Sequence, residues 1–215
     1  VRGGALTVRN ALIENNAAVG SGGDGGGVRG SGTFENVTFR NNSAADDGGG
    51  MYSAYSDNTF TTVTFQGNDG SGMYSYNSNN TLTTVTFQGN SSNGMVSDES
   101  NNTFTTVTFV GNSGNGMYSD DSNNTFTNVT FEGNSADYGD GMRGSGTFTN
   151  VTFEDNFGNG MRGSGTFTNV TFAGNSGDGL VFFGSNTFTD VTFQENGGRG
   201  ASIRGGTVDA VNVRF

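Results

Sequence analysis

Residues 101–112 read NNTFTTVTFVGN, and nearly the same words stand at 79–90 (NNTLTTVTFQGN) and 123–134 (NNTFTNVTFEGN). Alternation assigns faces within the phrase. In T-F-T, Phe104 points one way and both threonines the other; in V-T-F, Val107 and Phe109 share a face that Thr108 opposes. Phe104 and Val107 are three apart, so both face inward only if the chain bends at residues 105–106. The phrase reads as two short strands around a corner.

Working outward, the Asn of F-x-x-N recurs at Asn42, Asn68, Asn90, Asn112, Asn134, Asn156, Asn175 and Asn196, with Asn16 preceded by Ile13 in the Phe place. Successive spacings are 26, 26, 22, 22, 22, 22, 19 and 21. A second marker, G followed by an apolar residue, puts Val28, Met51, Met73, Met95, Met117, Met142, Met161 and Leu180 in one column; Val1 starts such a unit, and Ala201 or Ile203 begins the last. Gly, Asn, Asp and Ser break short alternating segments, which are strand and turn signals, and no sustained 3.6-residue period suggests a helix. A repeat of this length is a solenoid signature. The expected fold is all-β: one parallel β-helix domain over residues 1–215, with nine to ten coils of 19–26 residues and three short strands per coil.

Stacking the coils explains the composition. Phe34, Phe60, Phe104, Phe126, Phe148, Phe167 and Phe188 form one line, with Leu82, Val8 and Val208 substituting; Phe39, Phe65, Phe87, Phe109, Phe131, Phe153, Phe172 and Phe193 form a second. These lines take fifteen of the 19 Phe, so low hydrophobicity (31%) with 39 Gly does not mean disorder. The absence of Pro fits strands paired on both edges. The F-x-x-N asparagines are expected to bond up the stack as a structural ladder.

The net charge of −11, with nine Arg and no Lys, argues against a nucleic-acid partner. Without Cys there is no disulfide framework, and no run is apolar enough to span a membrane. The first residue is Val and no signal peptide is visible, which suggests a mature chain or an excised segment.

The pairing of F-x-x-N with GGAL (residues 3–6), GGGV (25–28) and GGGM (48–51) resembles the repeats of the polymorphic outer-membrane proteins of Chlamydiae, over nearly the whole chain. That resemblance implies a right-handed β-helix displayed outside the cell or on its surface, often adhesive; parallel crossovers favour the same hand. No outer-membrane barrel and no cysteine accompany the repeats here.

Three surfaces are candidates for function. The T-x-T pairs Thr59/Thr61, Thr81/Thr83, Thr103/Thr105, Thr125/Thr127, Thr147/Thr149, Thr166/Thr168 and Thr187/Thr189 form an outward array, with Thr64, Thr86, Thr108, Thr130, Thr152, Thr171 and Thr192 on the next strand. The grid resembles the ice-binding face of β-helical antifreeze proteins, although Thr also simply suits an exposed strand. In the acidic corner, Asp98 is expected to stack on Asp120 and Glu99 on Asp121, with Asp46, Asp47 and Asp57 extending the theme; either solvent tolerates the repulsion or a hard cation such as Ca²⁺ bridges the coils. The residue after Met gives an outward column Arg2, Arg29, Tyr52, Tyr74, Val96, Tyr118, Arg143, Arg162, Val181, in which Tyr52 and Tyr74, with Tyr55 and Tyr76, suit a glycan or cell-surface ligand. Val181 and Phe183 in LVFF are expected to be exposed.

Catalysis is disfavoured. A polysaccharide lyase or hydrolase needs two carboxylates in a cleft, and the chain has no His or Lys for base work and no long loop to wall a cleft. Matching coil signatures at both ends suggest either a slice of a longer solenoid or head-to-tail association into fibres. The expected role is a non-catalytic extracellular or cell-surface structural or adhesive element, with ice binding as the alternative.

Overall fold

The computed structural model describes residues 6–135 and 140–215; Val1, Arg2 and all of GGAL except Leu6 lie outside them. The chain coils into a parallel β-solenoid, and among the described residues there is no helix. Strand Thr103–Val110 pairs in parallel with Thr81–Gln88 on one side and with Met117–Glu132 on the other, every Phe opposite its counterpart. Met95–Asp98 pairs the same way with Met73–Tyr76 and Met117–Glu132.

The expected corner is there. T-F-T and V-T-F run as one hydrogen-bonded strand, kinked at a single residue in the left-handed region: Thr106 has φ 55°. The kink lets both Phe104 and Val107 face the core, where they are 0% and 1% exposed. The inward Met column runs from Met51 to Met161 at 0% exposed. The glycine before each Met is required by close approach: a Cβ on Gly94 would lie 2.5 Å from the Gly116 carbonyl oxygen.

Both Phe lines stack through the core. Phe87 and Phe109 are 4.8 Å apart and 3° from parallel, and Phe104 and Phe126 are 4.7 Å apart. Between the lines the rings meet edge to face, as at Phe126 and Phe131 (5.9 Å, 64°). Each buried Phe stabilises by about 1.5–3 kcal/mol. The stack ends differently from the sequence reading. Val208 lies opposite Asn186 and is 37% exposed; Ala210 takes the Phe188 column and Phe215 stacks on Phe193 at 5.2 Å. Pairing follows the V-x-F of Val213 and Phe215, which moves the register two residues on from the expected one. Ala201, not Ile203, begins the last unit.

The F-x-x-N ladder forms as expected. Asn90 donates its side-chain amide to Asn112 Oδ1 (2.9 Å) and to the Phe65 carbonyl (3.2 Å), and Asn112 Oδ1 also accepts the Asn90 backbone N–H. The same scheme joins Asn16, Asn42, Asn68, Asn134, Asn156, Asn175 and Asn196. Two further ladders are not anticipated by the repeat. Asn58, Asn80, Asn102 and Asn124 form a buried one, each amide also donating to the serine that follows Met by two residues, as Asn102 does to Ser97 Oγ at 2.9 Å. Asn93, Asn115, Asp140, Asn159 and Asp178 form another in the turn before Met. Among the described residues no buried side-chain nitrogen or oxygen lacks a partner.

Candidate functional site

The threonine array lies on the two strands that flank the kink. Thr103 pairs with Thr81 and Thr125, and Thr105 with Thr83 and Thr127, so hydroxyls repeat in register from Thr59 to Thr189. Both columns of the array face outward, but they are not equally open. The first column, Thr59, Thr81, Thr103, Thr125, Thr147, Thr166 and Thr187, is exposed throughout. In the second, Thr83, Thr105, Thr127, Thr149, Thr168 and Thr189 are only half-buried surface, and Thr61 alone is exposed. Both columns have a neighbour on each rung, but Thr149 and Thr168 stand directly next to the residue that turns the kink, Asn150 and Asn169, whereas Thr147 and Thr166 lie three residues from it. Thr61 has Glu35 on one side instead, drawn away to Arg9, and stays open. The next-strand threonines, Thr64 to Thr192, are half-buried too.

The rung repeat is that of the ring stack, 4.7–4.9 Å, and residues two apart along a strand are about 6.6–6.8 Å apart. Charge frames the array: the Arg9–Glu35 ion pair (2.7 Å) on one flank and Asp209, paired with Thr187, on the other. Sequence reasoning passed over Thr62, Thr84 and Thr106, which occupy the kink itself and carry the array around the corner.

The column after Met is aromatic in its first half and basic in its second. Tyr52 stacks on Tyr74 (5.5 Å, 17°), and Tyr55 meets Tyr76 edge-on. Arginines close the ends of the tyrosine run: Arg29 lies 5.3 Å over the Tyr52 ring and pairs with Asp24 at 3.1 Å, and Arg143 lies 5.4 Å over Tyr118. Burial, then the bond it donates to Asp98 Oδ2 (3.1 Å), pushes the Tyr74 phenol well above its usual range, so it stays a donor.

The acidic corner assembles in the expected register. Asp98 lies opposite Asp120, and Glu99 and Asp121 follow at left-handed positions with φ 48° and 40°. Asp47 joins it: burial, then Asp24, Asp46 and Asp98, raise its carboxyl. Asp46 instead accepts the Gly22 N–H at 2.7 Å. Asp57 does not extend the corner; it heads an exposed asparagine staircase, accepting from the Asn79 N–H (2.7 Å). The described residues contain no group of three or more His, Cys, Asp or Glu arranged to hold a metal.

A notch opens where the coils shorten. Residues 142–147 and 161–166 turn more tightly than 117–125, leaving a concavity of about 360 Å³. Arg143 and Arg162 line it with Asp120, Asp121, Tyr118 and Phe183. Phe183 is 55% exposed as expected, but Val181 is buried at 2%, its short side chain held between Arg162 and Ser202 in the column. Behind the notch Asp140, 1% exposed, pairs with Arg162 (3.2 Å); burial raises its carboxyl against the opposing pull of Asn159 and Arg162. Glu154 is raised by burial and then by Glu132 and Asp155. These carboxyls sit in separate ladders and strands.

A family model described as a right-handed beta helix region matches residues 5–118 and 75–215. No curated protein sequence matches the chain. Among solved structures, HetL, a pentapeptide repeat protein involved in heterocyst differentiation regulation from the cyanobacterium Nostoc sp. strain PCC 7120, is 9% identical. The match covers 92% of this chain and 89% of that one at a TM-score of 0.39, a level that says nothing about what this chain does.

Proposed function

The chain belongs to the right-handed β-helix family, and from that premise we propose that it is a non-catalytic rod displayed outside the cell or on its surface, adhering through its threonine face. One observation carries this reading. Fourteen threonines in T-x-T pairs repeat in register from Thr59 to Thr189, one column exposed throughout and the other half-buried beside it except at Thr61, without a charged residue among them. A rigid core fixes every rung, so little conformational entropy is lost when the face engages a repeating target. The resemblance of F-x-x-N and GGAL to the polymorphic outer-membrane repeats supports surface display. The separation of Asp47, Asp140 and Glu154, and the absence of His and Lys, support the non-catalytic part.

Binding of the purified chain to whole cells and to a glycan panel tests the reading. Thr105→Tyr with Thr127→Tyr breaks the flatness of the array and is expected to lower binding about tenfold while the fold persists; unchanged binding removes the face from the mechanism. Repetition in two directions also favours a second reading, a surface that orders water as ice does. Thermal hysteresis that the same double variant abolishes would establish it.

A further inference from the structure

The tyrosine column contains a gap. Tyr52, Tyr74, Val96 and Tyr118 occupy consecutive rungs. One face of Tyr74 is covered by Tyr52, and one face of Tyr118 by Arg143. Their other faces look toward each other across Val96, two rungs or about 9.6 Å apart at the 4.8 Å repeat. Asp98, two residues beyond Val96 on the same side of the strand, and Asp120, its neighbour on the next rung, stand beside the gap. Among the described residues no arginine pairs with Asp98, Glu99, Asp120 or Asp121.

The molecule itself shows what fits such a place. At Tyr52 and Tyr118 the neighbouring rung supplies a guanidinium, 5.3 and 5.4 Å from the ring centre, and at Tyr52 a carboxylate, Asp24, holds it. A cation over Val96 would lie about 4.8 Å from both ring centres, inside the range of cation–π attraction, with carboxylates alongside. Val96, half-buried, brings neither a ring nor a charge of its own to that rung.

We propose that the slot over Val96, between Tyr74 and Tyr118 and beside Asp98 and Asp120, binds a guanidinium group, its natural ligand being an arginine side chain of a basic partner segment. The strongly acidic chain (net charge −11) favours the approach of such a partner. The slot lies on the strand after Met and is independent of the threonine face.

The test titrates the whole chain with acetyl-(Gly-Arg)₃-amide and with the same peptide carrying citrulline, which keeps the shape and removes the charge. The arginine peptide is expected to bind at least about tenfold more tightly. Asp98→Asn and Tyr74→Leu should each weaken it about tenfold. The deciding variant is Val96→Arg. Its guanidinium would take the slot as Arg143 takes the far face of Tyr118, so peptide binding should vanish while the melting temperature is held or raised. No binding of the arginine peptide at millimolar concentration, equal binding of the citrulline peptide, or full binding by folded Val96→Arg would each overturn the proposal.

Discussion

From Met95 to Thr103 the chain takes eight positions to turn from one strand into the next; from Met142 to Thr147 it takes five. The longer turn is filled with polar side chains. Ser97 Oγ donates to the Ser100 carbonyl and accepts from the Asn102 amide, and Asn102 passes the pattern on to Asn124. The shorter turn has no room for them. Gly146, Gly163 and Gly165 pack backbone directly on backbone, and Gly144 packs against Ser119. Two solutions to one corner thus coexist in a single stack, one resting on hydrogen bonds between side chains and the other on the absence of side chains. They should fail in different ways.

The largest effect belongs to the short corner. A Cβ on Gly163 would sit 1.6 Å from the Gly144 carbonyl oxygen, and backbone cannot yield as a flexible side chain can. Gly163→Ala is expected to cost about 4 kcal/mol or more, read as loss of the cooperative thermal transition by circular dichroism. Asn101→Ala, at an exposed position of the long corner, removes only the solvent-accessible bond its Oδ1 accepts from the Asn123 N–H and should cost about 1 kcal/mol or less. If Gly163→Ala melted like the wild type, the backbone-contact account of the short turn would be wrong.

The long corner fails through unpaired polar groups. Asn102 Oδ1 accepts both the backbone N–H and the side-chain amide of Asn80 (2.8 and 2.7 Å), and all are buried. Asn102→Ala strands those donors and should cost about 2–3 kcal/mol in a denaturant titration. Asn102→Asp keeps an acceptor but buries a charge, so its loss should shrink as pH falls and the carboxyl protonates. Equal losses for the two at about pH 4, near the ordinary carboxyl range, would break this account.

The regions also differ before Met. The long coils place Asn93 and Asn115 in that ladder, whereas the coil of Met142 has Asp140. Burial, its largest influence, raises the Asp140 carboxyl above the ordinary value of 3.8. A raised folded-state pKa means the native state holds the proton more tightly than the unfolded chain. Its stabilisation is therefore complete below that ordinary value and is lost as pH rises through the folded pKa. Asp47 and Glu154 are shifted the same way. These groups should make the melting temperature higher at about pH 4 than at about pH 7, and Asp140→Asn should flatten part of the slope. A variant as pH-dependent as the wild type would remove Asp140 from the cause.

How much of this is legible in the sequence follows from chemistry. A Phe recurring at fixed spacing has one efficient use, and the two ring columns and the Asn112 ladder stand where the repeat puts them. The Asn102 ladder escapes sequence reading because Asn before T-F looks equally like an ordinary turn residue; its one signal is the serine two residues after Met51, Met73, Met95 and Met117. Thr207-Val208 copies the local pattern and so misleads, while pairing is decided by the later Val213 and Phe215. Strand alternation makes Val181 look exposed, but it says nothing of how closely Arg162 and Ser202 flank it. It likewise places Thr149 and Thr168 outward without showing that, next to the kink, each is half-buried. In the acidic corner, spacing gives the register of Asp98 with Asp120, but the aromatic gap beside it emerges only when Tyr74, Val96 and Tyr118 are stacked.

The smallest effect concerns the kink, where the regions divide again. The short coils put Asn150 and Asn169 at the left-handed position, and their amides bond up the stack at 2.9–3.0 Å to Asn128 and to each other. Three long coils put Thr62, Thr84 and Thr106 there, at φ 54–55°. A β-branched residue is strained in that conformation by about 1–2 kcal/mol, and Asn, whose short polar side chain tolerates it, by less. Thr106→Asn should thus stabilise the chain by about 0.5–1 kcal/mol and extend the exposed ladder from Asn128. Asn150→Thr should destabilise by a similar amount. The pair separates strain from function: if Thr106→Asn gains stability and keeps full surface binding, the kink threonines are inherited with the repeat. If it gains stability and loses binding, the strain is retained for the face that Thr105 and Thr108 share with it.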